Sequence, residues 1–488
     1  MIQKAPDGKP SGASFSVQLL TFAENSSIIN RKKPRKENAV SQFQMSLPPG
    51  VGEVIRTLEK AGFSAFAVGG CVRDALLGKT PNDYDVTTSA KPEEMLSVFR
   101  SFRVIPTGLK HGTLTVLCHG ESVEVTTFRV DGEYRDGRHP DSVSFTRNLR
   151  EDAARRDFTV NAMAYSDREG LCDFFGGEED LKNGMIRAVG EPRRRFEEDA
   201  LRILRALRFA SVLGFEIEED TAKALFECKE LLRKISAERI REELFKCLCG
   251  KGAVTVLRDF REIFGLILPC LCPIFDLWQY TPWHDKDVWE HTLSAVGAAP
   301  PLPELRLATL LHDTGKGDTF TRDENGIGHF YGHAEKSVAH AEEALSTLKA
   351  DNRLKGRVLT LIRHHQTPME DSDKSVKKML SSVGEEAFFE LLQLMRADTV
   401  AQSERAHPRL AVLDRIEARA HALLQKGVAL SVKDLAVTGR DLAGLGIPPS
   451  PQMGKLLAAA LDAVTEGTVP NERDALLQFI ENEKSNVD

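Results

Sequence analysis

Apolar residues recur at helical spacing from Val51 to Ala61, then give way to alternating or β-branched runs at Ala65–Val68, Tyr84–Thr87, Thr113–Leu117 and Val123–Phe128. The first pattern predicts an amphipathic helix and the others predict four strands. Beyond about Phe196 nearly every periodic segment is helical, as Leu201, Leu204, Ala206, Leu207 and Ala210 show, and a last helix is expected from about Gln452. Residues 1–46 have neither period, are rich in Ser, Asn, Lys and Gln, and carry the basic run Arg31–Lys36, which predicts a disordered extension. Met45, just ahead of Ser46-Leu47-Pro48-Pro49, is a candidate start of translation. The expected fold class is α+β, a mixed head followed by a long helical body, with no internal repeat.

Composition narrows the picture. The chain has 488 residues, against about 100–200 in a typical domain, so several domains are expected. No apolar run approaches the roughly 20 residues that span a bilayer, and no apolar segment or cleavage site follows the first residues, so a cytoplasmic protein is expected, with no membrane partner. The 8 cysteines include no CxxC pair and read as reduced core residues. The net charge of −7 gives no global attraction to nucleic acid, so RNA binding would need a local basic surface. Arg187, Arg193, Arg194, Arg195, Arg202, Arg205 and Arg208 supply either that surface or a solvated helix face.

The sharpest constellation is Gly69-Gly70-Cys71-Val72-Arg73-Asp74, then Asp83-Tyr84-Asp85, then Glu124 between Val123 and Val125. On a strand, residues i and i+2 share a face, so Asp83 and Asp85 are expected to present two carboxylates together, with Tyr84 and Val86 behind. Such a face chelates hard cations, and phosphoryl transfer commonly uses two Mg²⁺ ions about 4 Å apart. Glu124 is placed to complete the cage from a neighbouring strand. The two glycines let backbone N–H groups approach phosphates, with Arg73 one turn further on.

Two other groups stand out. Asp199 and Arg202 are expected side by side on one helix face. A carboxylate and a guanidinium can read the amine and ring nitrogen of cytosine or adenine and reject uracil and guanine; the alternative is a plain intrahelical ion pair. Histidines cluster further on, eight of the 13 lying between positions 284 and 365, where an even spread puts about two. His291, His312-Asp313 and Asp398 form a mixed N/O donor set suited to Mn²⁺, Fe²⁺, Ni²⁺ or Mg²⁺.

The head motifs, with Val123–Arg129, Arg155-Arg156-Asp157-Phe158-Thr159-Val160-Asn161-Ala162 and Glu198–Arg202, resemble class II CCA-adding tRNA nucleotidyltransferases and related bacterial poly(A) polymerases, continuously over roughly 47–265. The resemblance implies a polymerase-beta-like nucleotidyltransferase head with Asp83 and Asp85 as metal ligands and Glu124 as third carboxylate. It further implies nucleotide contacts from Gly69, Gly70, Arg73, Arg156, Asp157, Asn161, Asp199, Arg202, Arg205 and Arg208. The charged segment Phe128–Pro140 matches the family's flexible loop, which takes part in the switch from C to A addition. Leu311-His312-Asp313-Thr314-Gly315-Lys316 resembles the HD phosphohydrolase superfamily, in which Gly332-His333 and His364-His365 match further ligand or phosphate positions. The implied division is an extension at 1–46, head at 47–185, helical neck and body at 186–280, HD domain at 281–405 and a tRNA-binding tail at 406–488. The implied function is addition of the 3′-terminal CCA to tRNA from CTP and ATP, with possible phosphohydrolase activity. An A-adding-only or C-adding-only enzyme or a poly(A) polymerase shares every head motif, and an HD phosphohydrolase with an RNA-binding head is the alternative of another class.

Overall fold

The structure, a computed structural model, describes residues 43–132 and 143–487. The expected disorder of residues 1–42 and most of the charged loop after Gly132 lie outside the described residues. Residues 43–46 depart from the expected extension: Met45 is buried, and Phe43 meets the Tyr165 ring edge-on at 5.6 Å. Both are apolar residues beside a polar run, and the head core takes them in.

The amphipathic helix α1 (Pro49–Lys60) starts on a proline, which suits a first helical turn because its missing N–H would have no partner there. It packs on a mixed sheet whose strands are β1 (Ala65–Val68), β2 (Asp85–Thr88), β3 (Arg103–Gly108), β4 (Thr113–Cys118) and β5 (Glu121–Thr127), joined by two short strands at Ala164–Ser166 and Gly170–Cys172. The seven strands run β3-β4-β5-β2-β1 and then the two short ones. β2 and β5 are parallel, while β1–β2, β3–β4 and β4–β5 are antiparallel. β1 is buried at all four positions, as expected of a strand covered on both faces. Helix α2 (Gly70–Leu76) leaves its end.

From Pro192 onward the described chain is almost wholly helical. Helix Leu201–Leu213 packs against helix Ala237–Leu248, and both feed an apolar core that continues from Met45 to Leu423 without a break between head, neck and histidine region. A separate core runs from Ala429 to Ile480. Within the expected tail, Leu413, Ile416, Ala420 and Leu423 of helix Pro408–Gln425 pack into the first core, and the second core takes in residues from Ala429 on. Among the described residues no helix is long and apolar enough to cross a membrane.

Candidate active site

The strand register builds the head site. β2 lies between β1 and β5, which sets Asp85 beside Glu124 and opposite Val68. Asp83 is not on the strand, because the turn at Pro81-Asn82 delays β2 until Asp85. Asp83, Asp85 and Glu124 nevertheless line one cleft of about 780 Å³, and Tyr84, expected on the opposite face, lines it with them. Burial pushes the Asp85 carboxyl above its ordinary value despite the Arg156 guanidinium, and Asp83 adds to the rise; burial and then Asp85 do the same to Glu124. Asp83 thus acts on Asp85 and Asp85 on Glu124, and a divalent cation among these all-oxygen side chains on one cleft would relieve that repulsion, so their chemistry suits such an ion.

Gly69 joins β1 to α2 with φ +81°, a backbone conformation that a side chain would strain. A Cβ there would also stand 3.2 Å from Arg156 Nη1, so the missing side chain makes room for that guanidinium. The Gly69 N–H itself donates to Met163 O at 3.1 Å, which takes it away from the expected role of approaching a phosphate. Alternating charges tie this corner to the neck. Arg73 Nη1 donates to Asn161 Oδ1 at 2.7 Å, Asn161 Nδ2 donates to Asp157 Oδ1 at 3.2 Å, and Arg205 donates twice to Asp157 Oδ2 at 2.8 and 2.6 Å. Arg73, Arg205 and Arg208 converge on the Phe209 ring, 5.2, 5.3 and 4.1 Å from its centroid. Burial opposes ionisation of Asp157, yet the Arg205 guanidinium outweighs it and holds the carboxyl at about 2.

Asp199 and Arg202 do not share a helix face. Helix Pro192–Glu198 ends at Asp199, whose φ of −141° is extended, and helix Leu201–Leu213 begins afterwards. The Asp199 carboxylate caps that second helix, accepting from Leu201 N at 3.0 Å, and its other oxygen pairs with Arg239 at 3.4 Å. Arg202 pairs instead with Glu198 at 2.9 Å and donates to the backbone oxygens of Arg195 and Arg155. The expected intrahelical ion pair is thus replaced by two separate pairs, Asp199 with Arg239 and Arg202 with Glu198. Every arginine of the expected basic cluster has an acidic partner: Arg187, Arg193, Arg194 and Arg195 pair with nearby acids, Arg202 with Glu198, Arg205 with Asp157 and Arg208 with Glu243, the last two also sitting beside the Phe209 ring.

The histidine region brings its expected residues to one buried point. His291 lies on helix Val288–Ala298, His312 and Asp313 follow helix Pro303–Leu311, and Asp398 lies on helix Glu385–Ala401. His291 Nε2 is 3.1 Å from Asp398 Oδ1 and 3.4 Å from Asp313 Oδ2, and His312 Nε2 is 3.4 Å from Asp313 Oδ2. His333 and His365 complete the cluster around Asp313 Oδ1, at 3.3 and 4.0 Å. His312, His333 and His365 each turn Nδ1 to a backbone carbonyl, of Thr309, Phe330 and Ile362. That fixes the ring orientation and leaves Nε2 facing the cluster, the arrangement of metal-binding histidines. Those Nε2 atoms, and both oxygens of Asp313, are buried with no aligned hydrogen-bond partner. Buried polar atoms left in this state are costly unless an ion satisfies them. Burial works against ionisation of Asp313, but His312 and Lys316 hold its carboxyl well below the usual range, and His291 and His312 do so for Asp398.

Sequence reasoning placed Lys316 only at the end of the HD-like motif and missed its contact, Nζ standing 2.7 Å from Asp313 Oδ2 at i,i+3 spacing. It also missed Phe209, adjacent to Arg208, and Arg239, for which the sequence carries no local signal.

Comparison with known proteins follows this geometry. Residues 65–187 match the family model described as poly A polymerase head domain, residues 214–273 the probable RNA and SrmB-binding site of polymerase A, and residues 319–480 a putative tRNA nucleotidyltransferase domain 2. The chain is 36% identical to a CCA-adding enzyme of Levilactobacillus brevis over 451 residues, covering 91% of this chain and 99% of the relative. It is also 36% identical to one of Lactiplantibacillus plantarum, over 90% of this chain and 96% of that relative. A crystal structure of the Bacillus stearothermophilus CCA-adding enzyme in complex with CTP aligns with a TM-score of 0.66 at 30% identity, covering 90% of this chain and 99% of the other.

Proposed function

The chain belongs to the family of CCA-adding enzymes, which are nucleotidyltransferases, and on that footing we propose that it adds and repairs the 3′-terminal CCA of tRNA from CTP and ATP. The observation that carries this reading is the strand register that sets Asp85 against Glu124, with Asp83 on the same cleft. Divalent cations held by Asp83 and Asp85, of which Mg²⁺ is the chemical match for an all-oxygen set, would acidify the attacking 3′-hydroxyl and neutralise the departing pyrophosphate. Arg73, Arg205 and Arg208 supply positive charge for the triphosphate once it draws them from their present partners, Asp74, Asp157 and Glu243, and Arg156, whose guanidinium lies in the space that Gly69 leaves, adds a fourth cation. Base reading falls to Asp199 and Arg202, each of which must exchange its present partner, Arg239 or Glu198, for the base edge. Incubation with tRNA lacking all, two or one of the terminal bases tests the reading. Ordered incorporation of C, C and A is expected, and poly(A) growth on unrelated RNA without CTP use would overturn it.

A second reading concerns the histidine centre. Its unpartnered Nε2 atoms favour a bound Mn²⁺, Fe²⁺, Ni²⁺ or Mg²⁺ ion held by His291, His312, Asp313 and Asp398, with phosphohydrolase chemistry as its use. It adds to the nucleotidyltransferase function rather than replacing it, because a head that only bound RNA would gain nothing from the clustered carboxylates of Asp83, Asp85 and Glu124.

A further inference from the structure

Away from both centres, α1 and the turn between β4 and β5 bring a third set of donors together. Glu53 on α1, Cys118 at the end of β4 and His119 in the turn offer a carboxylate oxygen, a sulfur and an imidazole nitrogen, all within 4.8 Å of one another. His119 and Gly120 are the two turn residues, with φ +50° and +79°. A two-residue hairpin turn needs such angles at both positions and is most often filled by Asn-Gly or Asp-Gly. Histidine tolerates the left-handed region less well than glycine, and here the turn aims His119 Nε2 straight at Glu53 Oε2. The His119 and Glu53 side chains are 55% and 42% exposed, so ions in solution can reach them, whereas Cys118 is buried at 7%. Besides the His119–Glu53 contact, the same helix and hairpin are joined by the Gly50 N–H donating to Glu121 Oε2 at 3.0 Å.

We propose that Glu53, Cys118 and His119 form a surface site for a zinc-class divalent ion, with water in the remaining position. One thiolate, one imidazole and one carboxylate make a borderline-soft set that suits Zn²⁺ or Co²⁺ and not Mg²⁺. On binding, the Cys118 thiol releases its proton to solvent, and His119 Nε2 and Glu53 Oε2 turn from each other to the ion. The ion then clamps α1 to the hairpin whose second strand, β5, carries Glu124. The proposal stands independently of the activity proposed for the head or the histidine centre.

Cobalt(II) titration of the full chain tests it, because a thiolate ligand produces a near-ultraviolet charge-transfer band and none of the side chains named in the histidine centre is a cysteine. Wild type should develop the band at micromolar cobalt and lose it to stoichiometric zinc, and Cys118→Ser should show none. His119→Asn, which keeps a residue suited to the turn, should weaken cobalt binding by about ten-fold or more. Zinc should raise the melting temperature of wild type by more than that of Cys118→Ser, while both variants keep the wild-type rate of nucleotide addition. A wild type without the band at micromolar cobalt, or a band that survives in Cys118→Ser, overturns the proposal.

Discussion

Replacing Asp157 with asparagine keeps the shape of the side chain and removes the charge that holds Arg205 directly and Arg73 through Asn161. Asp157 is 8% exposed and accepts from Arg205, Asn161 and the Phe158 amide. Its carboxyl is held at about 2 against an ordinary 3.8, burial opposing the shift and the Arg205 guanidinium imposing it. Each pH unit of difference corresponds to about 1.4 kcal/mol, so ionised Asp157 contributes on the order of 2 kcal/mol to the folded state. Because the folded value lies below the unfolded one, that contribution is complete above about pH 5 and is lost as pH falls through the unfolded value toward the folded one. Urea unfolding near neutral pH should therefore show Asp157→Asn less stable by about 2 kcal/mol, with the gap to wild type closing below about pH 4. The same substitution frees Arg205 and loosens Asn161, which orients Arg73, so KM for CTP and ATP should rise several-fold while kcat changes less. A gap under about 0.5 kcal/mol near neutral pH, or one that does not narrow in acid, would refute the electrostatic account. Unchanged KM alongside the stability loss would confine Asp157 to a structural role.

Asp83→Ala or Asp85→Ala should abolish addition of both C and A while tRNA binding, measured by filter retention, stays close to wild type; turnover in either variant with Mg²⁺ present would sink the ligand assignment. His312→Ala combined with Asp313→Ala should remove metal detected by elemental analysis after reconstitution, together with any phosphatase activity, and spare CCA addition. Wild type that takes up no metal under the same conditions would leave that cluster a structural one. Arg202→Ala should relax discrimination among CTP, ATP, UTP and GTP by about five- to a hundred-fold, matching about 1–3 kcal/mol for one base-reading partner. Unchanged base ratios with a lowered melting temperature would instead restrict Arg202 to its contacts with Glu198 and the backbone of Arg155 and Arg195.

What the sequence determined by itself was local or periodic. Alternation placed β1, β2, β4 and β5 to within two residues, since burial on a pleated sheet leaves a period of two in the chain. The short spacing of Asp83 and Asp85 marked the carboxylate site before any fold was known, and the crowding of histidines after position 284 marked the second centre. Partner choice was a different matter, because it depends on residues far apart in sequence. Asp199 and Arg202 look like neighbours on a helix, but the helix breaks at Asp199, and Arg239, 40 residues away, takes one side chain while Glu198 takes the other. Only the fold decided that Arg73, from the head, and Arg205 and Arg208, from the neck, meet at one phenylalanine ring. It alone also brought His333 and His365 to Asp313 and carried a single core from Met45 to Leu423. Apolar burial drives such assembly without direction, so a linear pattern shows which faces must be covered, while the packing of whole elements decides what covers them.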